Sequence, residues 1–173
     1  TAPEYVVFEG PGMDAFAESP EWGCTFVVLP FMYYETYGDD SLIRKYYNGM
    51  RRYIDYMTTR ANDGIVSFGL GDWYDYGDFR AGFSRNTPVP LVATAHYYMV
   101  VRYLVEAARM LDNRYDVAYY THLGEEINKA FHREFYHKDT RQYGTGSQCS
   151  NALPLFLGMV PAEDKQAVLD NLV

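Results

Sequence analysis

The chain has 173 residues, of which 48% are hydrophobic and 22% are charged, a composition typical of a folded domain and not of a disordered segment. Its net charge of −8 disfavours a nucleic-acid partner, because phosphate binding needs clustered lysine and arginine. No apolar run reaches the roughly 18 residues of a membrane span, so no membrane partner is expected. The chain does not begin with Met and ends inside an apparent helix, so we expect it to be part of a longer protein.

Two long helices are predicted in the first third of the chain. The first begins with Ser19 as its N-cap and Pro20 at its first position, and it ends at Gly38. Pro30 is expected to kink it or to mark a change of register. The second helix follows at once over about 39–61, where apolar residues recur at a helical period: Ile43, Tyr47, Met50, Ile54 and Met57.

Four more helices are predicted in the rest of the chain. The third begins near Thr87 and Pro88, and the fourth covers about Val117–Phe131. The fifth covers about Gln148–Leu157, and the sixth begins at Pro161. Short β-like pieces, "GIVSF" and "RQYGTG", fall in the connections.

The lengths of the connections alternate, which predicts three αα-hairpins at about 19–60, 87–131 and 148–173 within a single partial domain covering 1–173. Helices within a pair are joined tightly, whereas residues 61–86 and 132–147 form long links. Antiparallel helices place every second connection at the same end, so the long links and the lead-in Thr1–Ser19 should meet there. Long loops carry function, so a functional site is expected at that end.

The first candidate site segment is "SPEWG", residues 19–23. Trp22 lies in the first turn of the first helix, and this position fits either core packing or a platform for a ligand. Glu21 is also the residue type that the positive end of a helix dipole favours. Glu21 is therefore a candidate for binding a ligand, with stabilisation of the helix N-terminus as its structural alternative.

The second candidate segment is "GLGDWYDYG", in which Asp72 and Asp75 bracket Trp73. Carboxylates accept hydrogen bonds from sugar hydroxyls, and an indole can stack on the apolar face of a pyranose. Glycines let the chain turn and pass close to a ligand. The alternative is a loop anchored by buried aromatic side chains, with its acidic groups in solvent.

A third segment, "YGTGSQCSNALPL", holds Ser147, Gln148 and Asn151, for which helix capping is the favoured role. The four histidines have no metal-ligand spacing, and we expect neither a metal nor a cofactor. Cys24 and Cys149 are too few for a disulfide framework and are expected to be buried free thiols.

Five motifs together resemble the bacterial α-L-rhamnosidases, and the similarity runs from Thr1 to the end: "APEYVVF", "SPEWG", "DGIVSFGLGDWYDYG", "TPVPLVATAHYY" and "YGTGSQCSNALPLFLGMVPAED". The resemblance implies an all-α fold in which the αα-hairpins form about half of an (α/α)6 toroid. It implies hydrolysis of terminal, non-reducing α-L-rhamnosides with inversion at the anomeric carbon. The implied partners are a rhamnose-containing oligosaccharide or glycoside and the remaining parts of the same enzyme.

The resemblance also implies roles for particular residues. Trp22 and Trp73 match aromatic residues that line the rhamnose pocket, and Asp72 matches an acidic residue near it. The family's catalytic acid and base are glutamates in motifs that this sequence lacks, so no residue of the chain is expected to be catalytic, and the segment alone is expected to be inactive. Many members have "WGD" where this chain has Cys24 after Gly23, so a polar contact from that position is not expected.

Two other functions remain open. One is a different glycosidase on the same toroid, acting on fucosides or glucosides. The other is a helical interaction module without chemistry, which predicts an exposed aromatic groove in place of a cluster at one end.

Overall fold

The structure, a computed structural model, describes residues 18–172. The predicted all-α class is confirmed, because the described part of the chain is mostly helical. The helices are α1 (Pro20–Gly23), α2 (Thr25–Tyr37), α3 (Ser41–Arg60), α4 (Val89–Met110), α5 (Arg114–Phe135), α6 (Gln148–Phe156) and α7 (Lys165–Asp170). Two antiparallel two-stranded ribbons complete the fold, β1 (Asp75–Gly77) with β2 (Phe79–Gly82) and β3 (Tyr136–His137) with β4 (Gln142–Tyr143).

The first predicted helix is divided, and the division lies at Cys24 and not at Pro30. Cys24 keeps helical backbone angles and its N–H bonds to the Pro20 carbonyl, so α1 and α2 follow each other with only a turn between them. Pro30 is buried inside α2. The end of α2 is as predicted, because Gly38 adopts the left-handed conformation, with φ of +68°, and its N–H bonds to the Tyr34 carbonyl.

Other boundaries differ from the predicted ones for local reasons. Helix α5 begins at Arg114 instead of Val117, because the Asn113 side chain accepts the N–H of Asp116 and caps the helix earlier. The last helix begins at Lys165, after a turn at 161–164. The "GIVSF" segment is not a strand and contributes only to an isolated bridge between Asn62 and Ile65.

Helix α4 is the centre of the fold and packs against α1, α2, α3, α5 and α6. Small buried residues, including Ala93, Ala95, Ala107 and Ala108, let its neighbours approach closely. One apolar cluster joins α2–α5, and a second joins α4 and α5 to α6 and α7. In the described residues no helix is both long enough and apolar enough to cross a membrane.

The two long connections, 61–88 and 136–147, meet at one end of the helices, as the alternating connection lengths predict. The Thr87 hydroxyl lies 2.7 Å from that of Ser147, and the Thr145 hydroxyl donates to the Asn86 carbonyl. The N-termini of α4 and α6 begin at these contacts. Of the lead-in Thr1–Ser19, residues 1–17 lie outside the described part of the chain.

Candidate functional site

Glu21 binds the backbone of the glycine-rich loop that precedes Asp72. Its carboxylate accepts the N–H of Gly71 at 2.8 Å and that of Leu70 at 3.2 Å, and the Ser19 hydroxyl at 2.5 Å. Gly69 and Gly71 have φ of +135° and +67°, and a Cβ on Gly69 would lie 2.6 Å from a Glu21 carboxylate oxygen. The loop therefore needs glycine at 69 and 71 and is held by Glu21.

Asp75 organises the other side of the same loop. This buried carboxylate accepts four hydrogen bonds, from the N–H groups of Tyr76, Arg85 and Asn86 and from the Asn86 side-chain amide. Each oxygen receives two donors, which fills the acceptor capacity of a carboxylate. The backbone N–H groups of Asn86 and Arg85 hold the pKa of Asp75 below its usual range. Asp75 thus fixes the β1–β2 ribbon to residues 85–86.

Asp72 is half-buried and lies between these two anchors. Its Oδ2 accepts a hydrogen bond from the Thr87 hydroxyl at 3.2 Å. The Cys149 thiol is close to both groups, and burial, with the Asp72 charge as a further cause, raises the pKa of Cys149 to about 12. The thiol therefore stays protonated at neutral pH. Asp72 keeps acceptor sites beyond its contacts with Thr87 and the Cys149 thiol, in contrast to Asp75.

A cleft of about 590 Å³ opens beside Asp72, a volume in the range of small-molecule sites. Its described lining carries acidic, amide and hydroxyl groups but no lysine or arginine. The lining residues are Asp72, Asp75, Tyr76, Asn86, Thr145, Gly146, Ser147, Gln148 and Cys149. Such a lining suits a neutral ligand rich in hydroxyl groups better than an anion.

The two tryptophans lie at the same end but are not among the residues that line this cleft. Trp73 follows Asp72 directly and meets the ring of Phe83 edge-on, with centroids 5.3 Å apart. Trp22 follows Glu21, which holds the 69–71 loop. Trp22 is 46% exposed and Trp73 is 36% exposed, so neither is a buried core residue in the described structure.

Sequence reasoning missed several residues of the site. Asn86, Thr145 and Cys149 line the cleft. The sequence pattern indicates Thr87 only as the start of a helix. Pro88 is the N-cap of α4, and no side chain caps that helix, whereas the Thr87 hydroxyl bonds to Asp72. The "NTP" and "GTGS" segments contain hydroxyl residues next to turn-forming residues, which is a pattern that loops at binding sites share with ordinary turns. Only the folded contacts show which groups these short side chains reach.

In the third candidate segment, the predicted capping role is confirmed for Ser147, whose hydroxyl accepts the N–H of Ser150. Asn151 does not cap α6; it is buried, and its side-chain oxygen accepts the N–H of Tyr143. Gln148 instead donates to the Leu172 carbonyl. Cys24 and Cys149 are not joined in a disulfide; the first is buried and the second is half-buried. Within residues 18–172, no group of three or more His, Cys, Asp or Glu side chains is placed to hold a metal ion.

The paired helices, with an acidic cleft among their long loops, place the chain among the all-α proteins built from helical hairpins. Comparison with known proteins identifies the family. The whole chain, residues 1–173, matches the family described as the bacterial alpha-L-rhamnosidase 6 hairpin glycosidase domain. The chain therefore belongs to the six-hairpin glycosidase domain family of bacterial α-L-rhamnosidases.

Individual relatives agree with this assignment. An α-L-rhamnosidase from Formosa agariphila is 29% identical over 161 residues, which cover 88% of this chain and 16% of the relative. The structure of an α-L-rhamnosidase from Dictyoglumus thermophilum superposes with a TM-score of 0.83 at 29% identity and covers 89% of this chain and 18% of that one.

A Streptomyces avermitilis α-L-rhamnosidase, solved in complex with L-rhamnose, superposes with a TM-score of 0.77 at 26% identity. The match covers 87% of this chain and 14% of that one. The chain therefore spans less than a fifth of the length of each of these relatives.

Proposed function

We propose that the full-length protein hydrolyses terminal α-L-rhamnosides and releases L-rhamnose. The observation that carries the proposal is the match of the whole chain to the six-hairpin rhamnosidase domain. The likeness to an α-L-rhamnosidase that was solved with L-rhamnose supports a rhamnose-containing substrate. The cleft, where the described residues place acidic and hydroxyl groups and no cationic side chain, fits a neutral sugar.

Within this function, Asp72, Trp22 and Trp73 are the residues that contact the sugar. Asp72 is suited to accept a hydroxyl hydrogen bond, because Thr87 and the Cys149 thiol occupy only part of its acceptor capacity. The exposed indoles offer apolar faces at the same end of the helices. Glu21 and Asp75 belong to the same binding region, where they hold the loop that carries Asp72.

The catalytic acid and base come from parts of the enzyme outside this chain. Inverting hydrolysis needs two carboxyl groups roughly 6.5–9.5 Å apart, one to protonate the leaving group and one to activate water. Of the carboxylates in the candidate site, Asp75 is saturated by hydrogen bonds and Glu21 is bound to backbone N–H groups. Asp72 alone does not supply a pair. The matched regions cover only 16% and 18% of the rhamnosidase relatives, which have room for both groups.

The test is a panel of aryl glycosides offered to the full-length protein: the α-L-rhamnoside, the α-L-fucoside and the β-D-glucoside. We expect the rhamnoside to be preferred by about 100-fold or more in kcat/KM, because a site that hydrogen-bonds particular hydroxyls rejects sugars that misplace them. Preference for the fucoside or glucoside would contradict the substrate assignment. Absence of turnover on all three would favour a non-catalytic helical module.

Inversion is tested separately by proton NMR during the first minutes of hydrolysis of the α-L-rhamnoside. An inverting enzyme releases β-L-rhamnose first, and the α-anomer appears only through slow mutarotation. Early release of the α-anomer would contradict inversion and leave the substrate assignment intact.

A further inference from the structure

Three hydroxyl groups form a continuous hydrogen-bonded chain that ends on Asp72. Ser150 Oγ lies 2.8 Å from Ser147 Oγ, Ser147 Oγ lies 2.7 Å from Thr87 Oγ1, and Thr87 Oγ1 lies 3.2 Å from Asp72 Oδ2. Ser150 and Thr87 are almost fully buried, and Ser147 is half-buried. These three hydroxyl groups thus connect the start of α6, the segment just before α4 and the loop that carries Asp72.

The direction of this hydroxyl chain follows from the number of protons available. A carboxylate only accepts, so Thr87 donates its one proton to Asp72. Ser147 must then donate to Thr87, and Ser150 to Ser147. Ser147 also accepts the N–H of Ser150 at 3.2 Å, which satisfies a backbone donor at the start of α6. Hydrogen bonds aligned in one direction strengthen each other.

Asp72 is consequently held from two sides. Its backbone follows Gly71, whose N–H is bound by Glu21 at 2.8 Å. Its carboxylate is held by Thr87, whose own carbonyl accepts the Ser84 hydroxyl at 2.5 Å. A Cβ on Gly71 would lie 2.7 Å from the Cβ of Ser84, so the two segments are in close contact. Thr87 therefore presents its hydroxyl to Asp72 from a fixed backbone.

We propose that Thr87 is a positioning residue for Asp72, and that Ser147 and Ser150 orient its hydroxyl. Thr87 and the neighbouring Cys149 thiol use part of the acceptor capacity of the carboxylate, and the remaining sites are left for a hydroxyl of the ligand in the cleft. This inference rests on the proposed function, in which Asp72 binds the sugar. A polar group held in its binding geometry loses less freedom when the ligand arrives, and this raises affinity.

The test uses the full-length protein with Thr87→Val, which replaces the hydroxyl with a methyl group of similar size, and Thr87→Ser, which keeps the hydroxyl. We expect Thr87→Val to raise KM for an aryl α-L-rhamnoside and the inhibition constant of L-rhamnose by about tenfold each. A smaller change is expected in kcat, because Thr87 does not touch the reacting atoms. Thr87→Ser should leave both constants close to their wild-type values.

Thr94→Val is the matched control. Thr94 is another buried threonine that anchors the same connection, through hydrogen bonds to the N–H and carbonyl of Val66, but it has no contact with Asp72. We expect Thr94→Val to lower the melting temperature and to leave the inhibition constant of L-rhamnose unchanged. An equal loss of rhamnose binding in the two variants would overturn the positioning role, because loosening the loop would then explain both.

A double-mutant cycle separates this inference from the proposed function. Melting temperatures of Thr87→Val, Asp72→Ala and the double variant need no substrate, and directly coupled residues give non-additive shifts. Additive shifts in melting temperature would overturn the inference and leave the proposed rhamnosidase function intact. The same holds if the wild type is active and Thr87→Val binds L-rhamnose as tightly as the wild type does. Non-additive shifts in a protein that hydrolyses no rhamnoside would keep the Thr87–Asp72 coupling and refute the function.

Discussion

At the scale of single residues, the acidic groups of the site divide by how much of their acceptor capacity the protein already uses. Asp75 receives four donors from its own chain, and Glu21 binds two backbone N–H groups and a hydroxyl. Asp72 receives the Thr87 hydroxyl and lies beside the Cys149 thiol. The sequence groups these three acids with the tryptophans as one set of ligand-binding candidates. The folded contacts favour Asp72 as the acid that meets the sugar and the other two as its supports.

Trp22→Ala and Trp73→Ala in the full-length enzyme test the assignment of the exposed indoles. Loss of an aromatic face from the sugar pocket costs on the order of 1–3 kcal/mol, which corresponds to a roughly 5- to 150-fold lower kcat/KM per folded molecule. Melting temperature is measured on the same samples. Tyr115→Ala, on an exposed aromatic residue of α5, is the control and should change neither quantity.

A packing role gives the opposite pattern. Removal of a buried tryptophan lowers stability by about 3–5 kcal/mol but leaves the kinetics of the folded enzyme near normal. Variants that melt early and still turn over normally would therefore refute the pocket role of Trp22 and Trp73.

The lowered pKa of Asp75 predicts how the stability of the protein changes at acidic pH. Because backbone N–H groups lower its folded-state pKa from the ordinary 3.8, its contribution to stability is fully present above pH 3.8 and is lost as the pH falls through the lower folded value. We expect Asp75→Asn to lower the melting temperature at pH 6, and the difference from wild type to shrink below pH 3.8. Asp78→Asn, on the exposed turn of the same ribbon, is the control. A difference that stays constant over this range would contradict the assignment of the lowered pKa.

At the scale of the helices, buried polar contacts join elements that are far apart in the sequence. Asp116 at the start of α5 is 2% exposed and accepts the Tyr47 hydroxyl of α3 at 2.6 Å and the Asn113 amide at 2.8 Å. Arg51 Nε of α3 lies 3.3 Å from the same carboxylate. Periodicity predicts Tyr47 as a core residue of its helix, and it is buried, but no helical pattern indicates that Asp116 is its partner.

Tyr47→Phe tests this link between α3 and α5. The variant keeps the ring and removes one donor to a buried carboxylate, which costs about 1.5–3 kcal/mol of stability. We expect a lower melting temperature with kcat/KM unchanged, because the contact involves none of the residues that line the cleft. Tyr46→Phe, on the neighbouring exposed tyrosine, should have little effect. Equal melting temperatures for Tyr47→Phe and wild type would show that this hydrogen bond does not stabilise the helix pair.

At the scale of the whole molecule, the helical class and the meeting of the long connections at one end are predictable from periodicity, proline and glycine positions and connection lengths. The ends of individual helices were less predictable, since the cap at Asn113 competes with the apolar pattern that begins at Val117. The 61–88 connection was the least predictable part. Its conformation depends on contacts with distant residues, such as Glu21 to Gly71 and Thr94 to Val66, which no local pattern encodes.

The central claim is that this chain contributes the sugar-binding wall of an α-L-rhamnosidase, while the catalytic acid and base lie elsewhere in the enzyme. Turnover of an aryl α-L-rhamnoside, measured for the full-length protein and for the 173-residue chain side by side, tests it most directly. Circular dichroism of the 173-residue chain is the control that checks whether the compared sample is helical. We expect the full-length protein to release rhamnose and the helical 173-residue chain to release none. Measurable turnover by the 173-residue chain alone would contradict the claim, because an acid and a base would then have to lie within it.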